Sequence, residues 1–169
     1  VSGILFFQKG NAGTITRLYL SCADCKCEEK PDSVIKFIGS DKNFVYYSGN
    51  SCCIKYTWEN WDEINKILEK YTSTVTYLKI DIAYDCITHI PIADFKNLKT
   101  ISFNGWGLDP GFDSIPENIL EMKSLQKIKF NKEDHARKMK KQIKSERRGI
   151  KVRIVPHDMK RVKKHAEPF

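Results

Sequence analysis

Three six-residue segments laid over one another constrain most strongly what this chain can fold into: Val75–Ile80 (VTYLKI), Leu98–Phe103 (LKTISF) and Leu125–Phe130 (LQKIKF). Each spells apolar-x-x-apolar-x-apolar. Their central apolar residues, Leu78, Ile101 and Ile128, are 23 and then 27 residues apart, a period of the size that marks stacked supersecondary units. What precedes the second and third copies also recurs, with Ile90-Pro91 ahead of Phe95 and Leu98, and Ile115-Pro116 ahead of Ile119, Met122 and Leu125. The x-apolar-x-apolar portion predicts a strand with alternate side chains turned into a core. The three-spaced apolar residues before it predict one face of a helical turn packed behind that strand. One such unit cannot close a core, so neighbours must stack.

The run IPENILEMKSLQKIKF (residues 115–130) resembles the Leu-Pro-x-x-Leu-x-x-Leu-x-x-Leu-x-x-Leu-x-Leu pattern of the leucine-rich-repeat family at every apolar position. The resemblance spans roughly residues 61–156. It implies an α/β architecture, a right-handed solenoid in which a curved parallel sheet carries helices on its convex side. It also implies protein binding on the concave side. So few repeats make a small surface, suited to one partner in an inhibitor, immunity-type or assembly role. The repeats are irregular: the family's ladder-forming Asn would fall near Ala83 and Trp106, a Gly-rich loop occupies residues 104–114, and Ile90–Leu98 is two residues shorter than Ile115–Leu125.

Trp61, Ile64, Leu68 and Tyr71 recur at helical spacing, with Glu59 or Asn60 placed to start a helix that feeds the first repeat strand. Residues 133–148 predict a largely charged helix whose inward contacts are Met139 and Ile143, stopped by Gly149. Ile150, Val152 and Ile154 then alternate as a closing strand. The first sixty residues read as β-rich. Phe44–Tyr47 and Ile54–Trp58 flank a Ser-Gly-Asn-Ser turn, Val34–Ile38 adds a strand, and Ile15, Leu18 and Leu20 form one more hexad. The expected organisation is a β-rich N-terminal cap over 1–58, a repeat region over 59–156 and a basic C-terminal tail over 157–169.

With 169 residues, 41% of them apolar, the chain is long enough for one cored domain. No stretch approaches the roughly 18 to 20 apolar residues of a membrane span, and the longest early run, Ile4–Phe7, is too short for a signal-peptide core. Val1 in place of Met fits either a removed leader or a trimmed chain. The net charge of +8 is uneven: residues 131–169 hold 14 of the 29 Lys and Arg but 5 of the 21 Asp and Glu, leaving 15 against 16 elsewhere. Six cysteines, Cys22, Cys25, Cys27, Cys52, Cys53 and Cys86, admit disulfides, buried reduced thiols or a zinc site centred on Cys22, Cys25 and Cys27. Paired cysteines would place the protein outside the cytoplasm, and reduced ones within it.

The four His residues, His89, His135, His157 and His165, make no recognised catalytic motif, and the chain has neither a P-loop nor an H-E-x-x-H. The reading is a protein that is not an enzyme, with no cofactor and no metal in its working site. The repeats supply a face instead. Residues between the buried ones must point away from the core: Tyr77, Lys79 and Asp81, then Thr100, Ser102 and Asn104, then Lys127, Lys129 and Asn131. Their mixture of aromatic, charged and small polar groups suits recognition of another protein. Trp106 and Phe112 on the long loop are the candidate aromatic anchors. A second class of partner, nucleic acid or another acidic surface, would use Arg137, Lys138, Lys140, Lys141, Lys144, Arg147 and Arg148.

Overall fold

The computed structural model describes residues 14–22, 33–38, 40–48, 50–56, 61–82, 89–105, 114–131 and 133–155. Trp106, Phe112, Cys25, Cys27, Cys86, His157, His165, the helix start at Glu59 or Asn60, and the boundaries expected at residues 58 and 156 lie outside them. The described strands are β1 (Arg17–Cys22), β2 (Ser33–Ile38), β3 (Ser40–Ser48), β4 (Ser51–Tyr56), β5 (Tyr77–Ile82), β6 (Thr100–Gly105), β7 (Lys127–Phe130) and β8 (Lys151–Ile154). The helices are α1 (Trp61–Leu68), α2 (Glu117–Leu120) and α3 (Glu133–Glu146), with 3-10 turns at Glu69–Tyr71 and Ile92–Asp94.

All eight strands form one sheet in the order β2-β3-β4-β1-β5-β6-β7-β8. The block from β4 through β1 to β8 is parallel throughout. β2 and β3 extend it antiparallel beyond β4, and β3 joins β4 through the hairpin expected from the Ser-Gly-Asn-Ser turn. The fold is thus α/β. From β5 onward each strand lies beside its predecessor. At the other end the order breaks, because α1 carries the chain from β4 across β1 to β5. The extra hexad Ile15, Leu18, Leu20 joins the apolar ladder there: Leu18 registers with Cys52 on one side and Leu78 on the other, and Leu20 with Ile54 and Ile80.

The register turns the sequence repeat into ladders. Leu18, Leu78, Ile101, Ile128 and Val152 align across the strands, as do Leu20, Ile80, Phe103, Phe130 and Ile154. All but Val152 and Ile154 are buried, and the Phe103 and Phe130 rings stack at 5.8 Å. The first apolar residue of each hexad, Ile15, Val75, Leu98 and Leu125, is buried behind its strand. Each fully buried Leu, Ile or Phe contributes roughly 1.5–3 kcal/mol, so the ladders are the main source of cohesion.

A repeated backbone clasp fixes where each unit begins. One carbonyl accepts from two successive N–H groups of the next strand: Asn50 from Thr16 and Arg17, Thr16 from Thr76 and Tyr77, Thr76 from Lys99 and Thr100, and Lys99 from Gln126 and Lys127, at 2.8–3.2 Å. The two-residue difference between Ile90–Leu98 and Ile115–Leu125 is absorbed in the layer behind the sheet. The shorter segment forms a three-residue 3-10 turn where the longer forms the helical turn α2. α1 buries Ile64 and Leu68, with Trp61 and Tyr71 packed at the core margin. α3 buries Ala136, Met139 and Ile143, which includes both contacts expected from the sequence.

Candidate functional site

The sheet face opposite the core presents two rows across the parallel block. The first runs Arg17, Tyr77, Thr100, Lys127, Lys151, and the second Tyr19, Lys79, Ser102, Lys129, Arg153. Neighbours within a row stand about 4.8 Å apart and the rows roughly 6.6 Å apart, from strand geometry. The face therefore gathers Tyr77, Lys79, Thr100, Ser102, Lys127 and Lys129, as the alternation requires. Asp81 pairs in register with Asn104 one step further along. Four members escaped the sequence reading, namely Arg17, Tyr19, Lys151 and Arg153. Their signal was present, since they alternate with Leu18, Leu20, Val152 and Ile154 as the others alternate with their own buried residues.

At the β1–β5 end, the two tyrosines hold an arginine. The Tyr19 and Tyr77 rings lie 6.0 Å apart, inclined at 51°. Arg17 Nε donates to Tyr19 Oη at 3.0 Å, and the guanidinium carbon lies 4.3 Å from the Tyr77 ring centroid. Lys129, reaching back over β6, places its Nζ 5.3 Å from that same centroid. Contacts of this kind contribute about 0.5–1 kcal/mol each at exposed sites. They also cover the Tyr77 ring with cations. Ser102, 7% exposed, forms the floor between Lys79 and Lys129.

At the β7–β8 end the arrangement is unfavourable in isolation. Lys127 lies opposite Lys151, and Lys129 opposite Arg153. Like charges opposed across neighbouring strands destabilise a sheet; two unit charges about 6 Å apart repel by roughly 0.7 kcal/mol even in water. Among the described residues no carboxylate pairs with any of these four. A face that must only be soluble would alternate its charges, whereas this one concentrates a single sign.

The basic helix is a different case. Arg137, Lys138, Lys140, Lys141, Lys144 and Arg148 are exposed, but Arg137 pairs with Glu133 at 2.5 Å. Arg147 is engaged in the structure: its guanidinium donates to the carbonyls of Leu120 (2.6 Å), Met122 and Lys123 (3.2 Å). It occupies the position that Phe95 and Met122 hold in earlier units, since the Ile150, Leu98 and Leu125 amides donate to the Arg147, Phe95 and Met122 carbonyls. An Arg there turns back and satisfies the previous unit's carbonyls. Gln142 acts similarly, its amide accepting from the Ile115 N–H (2.8 Å) and donating to the Ile115 carbonyl (3.0 Å). Asn97 donates to the Ser73 carbonyl at 2.6 Å and Asn65 to that of His89 at 3.1 Å. Side-chain amides thus tie successive units, at positions other than the strand-following ones named for the family.

Cys52 lies fully buried on β4. Burial pushes its thiol up to about 12, opposed in part by a hydrogen bond with Tyr71. No disulfide is present among the described residues, nor any group of three or more His, Cys, Asp or Glu able to hold a metal. His89 stacks on Trp61 at 5.4 Å. Among the described residues no helix is long and apolar enough to cross a membrane. No family model, curated protein or solved structure matches the chain.

Proposed function

We infer that this protein is a non-enzymatic binding module, a short leucine-rich-repeat-like solenoid that holds one protein partner on the concave outer face of its parallel sheet. The observation that carries the reading is the like-charged register Lys127 with Lys151 and Lys129 with Arg153, continued by Lys79 and Arg17 across the same face. Repulsion built into a sheet has a physical use when an anionic surface relieves it on binding. The partner surface is therefore acidic, and the tyrosine-clamped Arg17 supplies a pre-ordered contact at the far end. Tyr and Arg are the residue types that dominate interface energetics.

A second reading has its own support. Arg137, Lys140, Lys141 and Lys144 fall at i, i+3, i+4 and i+7 on α3, which places them on one helix face, the arrangement phosphate contacts require. Charge reversal separates the two. In quantitative affinity capture of the partner, Lys79→Glu with Lys129→Glu is expected to lower binding more than tenfold, while Lys140→Glu with Lys144→Glu leaves it within about twofold. The reverse ranking, with a nucleic acid as the captured species, transfers the function to the helix.

A further inference from the structure

The eighth strand ends the sheet, and its outer edge has no neighbour among the described residues. Its amides divide into two sets. Lys151 N–H donates to Gln126 and Val155 N–H to Phe130, so by strand alternation the amides of Val152 and Ile154 point away from β7. Among the described residues, Ile154 and Val155, 46% and 48% exposed, are the large apolar residues left open to solvent. Between β8 and α3 runs a shallow groove of about 370 Å³ lined by Ala136, Val152 and Ile154 together with Arg137, Lys140, Arg153 and Glu133, the last of which is paired with Arg137. An open edge is a template for another strand, and evolution blunts such edges with charge unless they are used. Here the strand's outer side carries only the cations Lys151 and Arg153, and its inner side carries Val152 and Ile154, with the groove's own charges supplied by α3.

We propose that the β8 edge receives an extended segment of a partner protein in which acidic and apolar residues alternate. A ninth strand laid beside β8 would turn successive side chains to opposite faces. Those on the outer side meet Lys151 and Arg153; those on the inner side meet Val152, Ile154 and the groove below α3. Main-chain hydrogen bonds to the Val152 and Ile154 amides supply affinity, and the two-sided pattern supplies selectivity. Arg17 and Lys129 already cover the Tyr77 ring, so that ring is not open to stack a base, which favours an acidic peptide over a nucleic acid. The edge site shares Lys151 and Arg153 with the outer-face surface and differs from it in using the open main chain of β8.

The test uses the full chain and a fluorescein-labelled octapeptide alternating Glu and Val, with its isomer carrying four Glu followed by four Val. Anisotropy titration at low salt is expected to show the alternating peptide binding at least tenfold more tightly than the block isomer. Methylating the peptide's backbone nitrogens on alternate residues is expected to remove that advantage on one of the two possible phases, without altering the protein. On the protein, Arg153→Glu and Ile154→Pro each lower affinity tenfold or more, whereas Lys66→Ala, an exposed change on α1, leaves it within twofold. Equal binding of the two isomers, or indifference to N-methylation in both phases, overturns the proposal. So does tighter, Arg153-dependent binding of single-stranded dT12. Absence of any peptide binding, or a concentration-dependent dimer in sedimentation that Ile154→Pro dissolves, means that the chain itself covers the edge and equally overturns it. None of these outcomes bears on Lys79, so the outer-face reading stands or falls by its own variants.

Discussion

Thr100 and Ile101 are adjacent on β6 yet face opposite sides of one sheet, and the two sides follow opposite rules. On the inner side each residue in a row meets its like and gains by it: Leu78, Ile101 and Ile128 are fully buried in a continuous ladder. On the outer side like again meets like, but there the residues are Lys127 and Lys151, then Lys129 and Arg153, and repetition costs stability. The same stacking operation that builds the core therefore builds an unrelieved charge field. The cohesive face and the proposed recognition face are separated by a single residue step along the chain.

That separation is broken most sharply by Ile101→Ala. Loss of a fully buried aliphatic from the middle of the ladder should cost about 2–5 kcal/mol in urea unfolding, whereas Thr100→Ala beside it should stay within about 0.5 kcal/mol. Comparable losses at the two positions would mean that the outer face is structural. Arg147→Met comes next. It removes the donor shared by the Leu120, Met122 and Lys123 carbonyls and should cost about 1–3 kcal/mol, while Arg148→Met, exposed beside it, should cost almost nothing.

Cys52 sharpens the inner side through pH. Its thiol holds the proton up to about 12 in the folded protein but releases it near 8.5–9 once unfolded. The folded chain therefore binds more protons in that interval, and stability falls as pH rises. The contribution is complete below about pH 8.5 and declines by about 1.4 kcal/mol per pH unit through the interval. Urea midpoints for the native chain and for Cys52→Ala should converge between pH 8 and 10.5; parallel curves would show that the thiol is not buried as described. The smallest effect belongs to the outer side. Lys129→Gln relieves repulsion at Arg153 but loses the contact to Tyr77, so stability should change by no more than about 0.5 kcal/mol, with any gain fading as salt screens the charges.

Much of the inner side was legible in the sequence, because a strand's period of two and a turn's spacing of three are local. Leu78, Ile101 and Ile128 register with one another as their hexads align, and Met139 and Ile143 are buried on α3 as their spacing implies. Position in the sheet was not legible. Nothing local in RLYLSC says that β1 lies between β4 and β5, since that order depends on which loops can close and on a crossover by α1. The outer face was read in its middle three strands and missed at Arg17, Tyr19, Lys151 and Arg153, although their alternation with Leu18, Leu20, Val152 and Ile154 marks them in the same way. Arg147 and Gln142 were hidden differently. A polar side chain that bonds a backbone carbonyl 25 residues away has the same local sequence as one standing in water.

Binding through the outer face is tested most directly by a photo-reactive residue placed at Thr100 in the full chain, compared with one at Glu121, which is exposed just after α2 behind the sheet. If the outer face holds the partner, irradiation yields one dominant cross-linked protein from Thr100, none from Glu121, and loss of the Thr100 product when Lys79 and Lys129 are reversed to Glu. Equal cross-linking from both positions, or a Thr100 product indifferent to those two charges, would contradict it.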